Sequence, residues 1–532
     1  MKRLSREDMI ELNEKYLNLD SLSELDDKTS LNIFGTLIDT SHFLDKLEGL
    51  LHALDFSEEL LNREMNEENK SELHYYIANL WADLEEFKST CIKSRWDWDQ
   101  PEIKKVITNI RYSFRYGFLG DNTKVSDSRR CEILTNYGNA LSQIGRIIEA
   151  IEYYDKVLEI NPNFSMANGA KGNNLFKYSR YLYDEGHKAY FLNLSYKMLK
   201  KAIEGDPYPQ AKKNFQNTIN ILEKGCSKEL LAENFDLNSY ELGNSQDEID
   251  YRNWVLNNRL FLNPLNDLGP NSIAARDVLL TPSIFTKIDE GPYYQGFYNQ
   301  MKQEFVSARY LFYEGITQRE LHFSDFEVML FNTGDFPRYG LKIEKIKIAY
   351  RMAYSLFDKI AFFINYYFRL GLKEKETNFK SIWYKKQKGN KPLEIRGDLY
   401  KKENLPLRGL FWLNQDFFIE DFKESIEPES EELKNIRNSL EHKYLKIHSD
   451  YYPINCGADF SMYGEDRLAY SLNYNTFISK TLKLLKLTRS ALIYLSLAIY
   501  TEEFQRYSNS EKMKDAYSIE IDVFSDDDKK LD

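Results

Sequence analysis

Long apolar stripes at helical spacing, with very little proline or glycine to break them, constrain this chain more than any other feature. Phe297, Met301, Phe305, Ala308 and Phe312 form one stripe, and Ile346, Ala349, Tyr350, Ala353, Phe357, Ile360, Ile364 and Tyr367 a longer second. A third runs through Leu433, Ile436, Leu440, Tyr444 and Ile447, and a fourth from Leu468 to about Tyr500. Residues three and four apart share a helix face, so each run predicts a helix with one buried side. Four such helices in one terminal region predict an antiparallel bundle. With 13 Pro and 24 Gly in 532 residues, the chain is a poor match for a β-sandwich or barrel, whose many turns consume both. The fold class expected is all-α.

Ahead of the bundle, residues 131–162 carry a repeat. Leu134, Tyr137, Gly138, Leu141, Gly145, Ala150, Tyr154, Val157, Leu158 and Pro162 fall at the large, small and terminating positions of a tetratricopeptide repeat. The small Gly138 is expected to let the first helix approach the second at Ala150, and Pro162 to end the pair. A second unit places Gly172 thirty-four residues after Gly138 and closes with Ser195, Leu199, Ala202 and Pro207. Its inter-helix turn is expected to hold an insertion between Tyr178 and Leu192. A degenerate earlier copy is suggested by Ile77-Ala78-Asn79-Leu80-Trp81, which echoes Tyr137-Gly138-Asn139-Ala140-Leu141. Stacked repeats of this kind present a concave groove, so a protein or peptide ligand is the partner expected there. The domain plan is a helical region over residues 1–125, repeats over 126–225, a connector over 226–290, the bundle over 291–505 and an acidic tail over 506–532. The connector mixes Leu260, Phe261 and Leu262 with Asn263, Pro264, Asn266 and Asp267 and is expected to wrap a surface without helix.

A net charge of −12 argues against a protein that coats nucleic acid indiscriminately, so any nucleic-acid site must be local. Cys91, Cys131, Cys226 and Cys456 are too scattered for zinc-site spacings and fit unpaired thiols in a reducing compartment. The charged N-terminus lacks an apolar signal core, and the longest apolar runs are too short to span a bilayer. A cytoplasmic protein with no membrane partner is expected.

The chemistry-bearing stretch is Arg437-Asn438-Ser439-Leu440-Glu441-His442. Arginine can stabilise extra negative charge on phosphate, and histidine can move a proton near neutral pH. At about 100° per residue, the third stripe occupies roughly 80° of its helix. Arg437 then sits at the stripe's edge, while Asn438 and His442 share the opposite face. A plain charged helix face would look similar, and a second Arg/His pair, Arg180 and His187, arises at comparable spacing without the amide.

This stretch resembles the R-N-x-x-x-H motif of the HEPN superfamily (higher eukaryotes and prokaryotes nucleotide-binding), and specifically a bacterial group with tetratricopeptide repeats ahead of the HEPN domain. The resemblance covers residues 258–268, 303–315 (QEFVSARYLFYEG), 349–363 (AYRMAYSLFDKIAFF), 407–413 and 427–446 (EPESEELKNIRNSLEHKYLK). It implies a C-terminal HEPN-type four-helix bundle with insertions. It also implies a metal-independent endoribonuclease of antiviral defence or toxin-like growth arrest, with RNA as substrate and no cofactor. Arg437 would hold the phosphate, Asn438 would orient it or the histidine, and His442 would transfer the proton. Such sites are usually shared between two bundles, so a homodimer or higher homo-oligomer is implied; His448 is a weaker alternative second histidine. Two rivals stay open, a non-catalytic adaptor that keeps only the interaction surface and a HEPN partner of a toxin-antitoxin pair.

Two further sets of candidates come from the residues themselves. Asp358 interrupts the second stripe and could orient Arg437 or His442, or simply pair with a neighbour such as Lys359. Residues 373–402 hold ten Lys/Arg against four Asp/Glu, interleaved with Phe379, Trp383, Tyr384 and Tyr400. Basic and aromatic side chains together suit unpaired RNA, which makes Trp383, Lys385, Lys386 and Lys388 candidate RNA contacts; a solvated surface insertion is the alternative.

Overall fold

The computed structural model describes residues 5–88, 98, 100–118, 125–287, 290–385, 394–400, 402–418, 428–450, 466, 468–510 and 519–529. Its first part is a succession of helices: α1 (Arg6–Leu17), α2 (Asp27–Phe43), α3 (Leu47–Leu61), α4 (Glu67–Lys88), α5 (Pro101–Phe118), α6 (Asp127–Gln143), α7 (Ile147–Ile160), α8 (Ser165–Ser179), α9 (Glu185–Glu204) and α10 (Pro209–Gly225). From α2 to α9 they pair as hairpins that stack on one another. Local chemistry starts them: Asp26, Ser126 and Asp184 each accept a backbone N–H in the first turn of α2, α6 and α9. Close approach within a hairpin does depend on Gly138, but the group that fills its space is the Tyr154 ring. A Cβ on Gly138 would lie 2.5 Å from that ring. The insertion expected between Tyr178 and Leu192 is absent as a loop. Only Arg180 to Asp184 joins α8 to α9, and the extra residues lengthen α9 to 20 residues. Arg180 and His187 therefore fall on either side of that turn, not on one helix.

The connector holds two helices, α11 (Lys228–Ala232) and α12 (Gln246–Asn257), then 3-10 turns at Pro264–Leu268 and Ser272–Ala274. It differs from the expectation of a surface wrap, because Leu260 to Asp267 are buried throughout. The asparagines make this possible by serving the backbone internally. Asn263 accepts the Leu265 N–H at 3.0 Å, and Asn266 accepts the Phe261 N–H at 3.2 Å while donating to the Leu256 carbonyl at 3.1 Å.

The C-terminal part contains α13 (Tyr293–Thr317), α14 (Leu341–Tyr367), α15 (Gly397–Tyr400), α16 (Leu405–Phe418), α17 (Pro428–His442) and α18 (Tyr474–Asn509). Helices α13, α14, α17 and α18 are the four expected from the stripes, and α16 packs beside α17 and α18. The third helix is shorter than its stripe suggests, and the fourth begins later than its stripe, at Tyr474, and runs on to Asn509. Helix α17 stops at His442, and β1 (Tyr444–His448) follows, paired in parallel with β2 (Ala469–Asn473) in the register Tyr444↔Ala469. Tyr444 and Ile447 thus belong to a strand, and Leu468 precedes one. The apolar pattern at Leu445 and Ile447 has period two, which a strand satisfies as well as a helix does.

One buried apolar cluster runs from Tyr75 through the repeats and connector to Ile499. Polar contacts reinforce it at three places. Gly145, with φ of 92°, meets Gly409 of α16, and a Cβ on Gly409 would lie 2.6 Å from the Gly145 carbonyl. Arg111 and Arg146 both pair with buried Asp416, the first at 2.9 Å. Arg489 of α18 donates to Asp267 and to the Phe261 carbonyl at 2.6 Å and to the Asn263 carbonyl at 2.9 Å, while Tyr178 of α8 donates to Asp267 at 3.0 Å. Repeats and bundle are therefore packed together through the connector.

Candidate functional site

Helix α17 is oriented by its apolar side. Leu433 and Ile436 are fully buried and Leu440 nearly so, and the Tyr350 hydroxyl of α14 donates to the Leu433 carbonyl at 2.5 Å. At the other end, Arg351 donates to the Leu440 carbonyl at 2.7 Å and stands 3.6 Å from Glu441. This satisfies one of the orphan carbonyls of the last turn. The orientation leaves Arg437 and Asn438 half-buried and His442 exposed at the helix terminus.

Arg437 and Asn438 are coupled directly, since the guanidinium donates to the Asn438 side-chain oxygen at 3.2 Å. The same guanidinium lies 5.6 Å from the centre of the Tyr354 ring, within reach of a cation–π attraction. Burial pushes the Tyr354 hydroxyl well up, so the ring stays neutral beside the arginine. Asn438 and His442 are one turn apart, and the His442 side chain is exposed. The arrangement is a cation held against a ring, an amide steadied by that cation, and an imidazole open to solvent.

Several of the other candidates have partners of their own. Asp358 accepts the Phe379 N–H at 3.0 Å and so anchors the segment after α14; Arg437 reaches Tyr354, one turn before it. His448 is buried in β1 and contacts the Asp335 carbonyl at 2.9 Å and the Ser471 hydroxyl at 3.1 Å. Both of its ring nitrogens are occupied, and burial holds its pKa below the ordinary histidine value. It is a structural residue of the small sheet. Trp383 is likewise corrected as a base-stacking candidate. It is fully buried among Trp98, Phe379 and Phe411, so neither ring face is open to a nucleotide. Its segment folds back on itself, with the Lys385 N–H donating to the Glu394 carbonyl at 2.8 Å and the Lys385 ammonium paired with the Glu394 carboxylate. Lys386 and Lys388 lie outside the described residues.

Sequence reasoning missed Tyr354 and Arg351, which prepare the motif from α14. Tyr354 directly follows Ala353 of the second stripe, and a polar-tipped aromatic beside that stripe was the available signal. Among the described residues, no group of three or more His, Cys, Asp or Glu side chains is placed to hold a metal ion. No helix among them is long and apolar enough to cross a membrane.

The stacked N-terminal hairpins supply a second feature. Helices α2, α4, α5 and α6 line an open pocket of about 300 Å³ that presents Asp39, His42, Asn79, Asp83, Asn136 and Gln143 beside apolar Phe43, Val106 and Ile110. His42 pairs with Asp83 at 3.0 Å, which raises the histidine, and Asn136 donates to Asn79 at 3.0 Å. Burial and the neighbouring Asp83 charge push Asp39 up to about 6.

Residues 285–502 match the family model for the LA2681-like HEPN domain, and residues 132–164 match a tetratricopeptide repeat model. No curated protein and no solved structure matches the chain.

Proposed function

We propose that this chain, which carries an LA2681-like HEPN domain behind a tetratricopeptide repeat, is a metal-independent endoribonuclease. The observation that carries the reading is the exposed His442 one turn beyond an Asn438 held by Arg437 on a helix whose other face is buried. In the reaction, an RNA 2′-OH attacks the adjacent phosphorus and the bond to the 5′ oxygen breaks. The products are a 2′,3′-cyclic phosphate and a 5′-OH. Arg437 binds the phosphate and stabilises the added charge of the transition state, its direction set by the Tyr354 ring. Asn438 orients the phosphate or the imidazole, and His442 moves a proton.

One proton must leave the nucleophile while another reaches the leaving oxygen, and the motif offers one histidine. The reading therefore includes a homodimer or larger assembly in which two α17 helices face each other and each supplies a His442. Lys385, Lys386 and Lys388 remain its candidates for phosphate contact beyond the reacting group. In this reading the groove of the tetratricopeptide repeats takes a protein or peptide signal, and cleavage serves antiviral defence or growth arrest in the cytoplasm.

The test is incubation of the purified chain with total RNA in excess EDTA, followed by end-group analysis. Cleavage that leaves 2′,3′-cyclic phosphates and 5′-OH ends is expected. Products with 5′-phosphates, or cleavage that needs added metal, would overturn the mechanism.

A further inference from the structure

Between α13 and α14 the chain makes an arm, residues 318–340. Its root is stitched to the strand leaving the motif helix. The Arg338 N–H donates to the Ile447 carbonyl at 2.7 Å, Pro337 bridges His448, and Asp335 pairs with buried Lys446 at 2.7 Å. The Tyr339 hydroxyl lies beside that of Tyr444, two residues beyond His442. The arm also caps α14, because the Asp325 carboxylate accepts the Leu341 N–H at 2.9 Å.

The tip is the opposite of a solvated loop. Met329 is 97% and Phe331 95% exposed, and Val328, Leu330, Phe323, Phe326 and Phe336 are each more than half exposed. Four consecutive apolar residues open to water are costly and mark a surface that is covered in the working molecule. Together with Leu321 and Tyr339, these side chains present on the order of 1,000 Å². A partner in a stable interface contributes ~800 Å², so the arm is large enough for one. The arm carries two arginines, no lysine and four acids, which suits neither RNA nor an anionic lipid surface.

We propose that this arm is the surface through which a second copy of the same chain docks, arm against arm across a twofold axis. Such a patch is self-complementary, as a twofold interface requires. Its root lies against Ile447 and His448, in the strand that follows α17, so a copy docked on the arm sits next to the end of the motif helix. The inference rests on the ribonuclease reading, in which a single His442 leaves the site half-built.

The experiment compares the full chain with Met329→Glu/Phe331→Glu by sedimentation equilibrium and by RNA cleavage, with circular dichroism as the fold control. The parent should be a dimer that cuts RNA. The double variant should dissociate at least about 100-fold more readily, since two hot-spot-sized contacts per copy are lost, and its cleavage should fall in parallel. Should the glutamates impair folding, Met329→Gln/Phe331→Gln is measured instead, with the same expectation. A variant that stays dimeric with full activity would overturn the arm as the interface and leave the ribonuclease reading standing. So would a parent that is monomeric at the assay concentration, or one whose exposed tip binds neutral lipid vesicles as a monomer. A parent that dimerises through the arm but never cuts RNA would sink the ribonuclease reading and keep the interface.

Discussion

Arg489 and Asp267 form a buried ion pair that ties the bundle, the connector and the repeats together, and replacing either should reveal how strongly they are joined. Arg489 is 2% exposed and donates at 2.6 Å to Asp267, at 2.6 Å to the Phe261 carbonyl and at 2.9 Å to the Asn263 carbonyl. Asp267 is 1% exposed and is left, without the arginine, with the Tyr178 hydroxyl at 3.0 Å. Arg489→Ala strands a buried carboxylate and two carbonyls, so it should cost about 3–5 kcal/mol, and Asp267→Ala a similar amount for the stranded guanidinium. Arg489→Ala/Asp267→Ala removes both charges and should cost less than the two single changes together, because the penalty of each single variant is mainly the partner left behind. Burial already raises Asp267. Removing its cation raises it further, so the Arg489→Ala loss should be smallest at acid pH, where the carboxyl is neutral, and should grow as pH rises. Urea unfolding of the four proteins, followed by intrinsic fluorescence at several pH values, measures the cycle. Strict additivity of the single changes, or a cost below about 1 kcal/mol for Arg489→Ala, would refute the pair as a structural tie.

Tyr354→Phe should leave RNA cleavage near the parent value, whereas Tyr354→Leu should lower kcat/KM about 3–30-fold, the worth of a cation–π contact. A phenylalanine variant as weak as the leucine one would mean that the hydroxyl matters and the ring does not. His448 has a depressed pKa, so the stability it contributes is fully present above the ordinary histidine value and is lost as pH falls below it. The parent's melting temperature should therefore drop between pH 7 and 5, and His448→Gln should flatten that drop; an unchanged slope would show that other groups titrate. Replacing Lys385, Lys386 and Lys388 with Glu should weaken RNA binding and make its salt dependence shallower. Identical binding at every salt concentration would remove them from the substrate path.

The sequence made the helices legible because their apolar residues return at a period only a helix can bury, as Ile346 to Tyr367 do along α14. The exposure of His442 was legible for the same reason, since it falls opposite Leu433 and Ile436, whereas Asn438 is half-buried. What was hidden depends on contacts between distant segments. Trp383 looks like a stacking residue beside lysines, yet its burial depends on Trp98 and on Phe411 of α16. The connector looks like a surface loop, yet Arg489, more than two hundred residues away, donates to its carbonyls. Strand β1 was hidden because five residues with apolar Leu445 and Ile447 satisfy both periods, and pairing with β2 decides between them.

The central claim is that Arg437 and His442 perform phosphate transesterification in RNA. Single-turnover cleavage by the parent, Arg437→Ala and His442→Ala, with circular dichroism confirming the fold of each, tests it most directly. Loss of a proton-transfer group should slow cleavage about 100–10,000-fold, so His442→Ala should be nearly inert, and Arg437→Ala comparably impaired, with both spectra unchanged. Parent-like cleavage by folded His442→Ala would contradict the account and place the chemistry elsewhere in the chain.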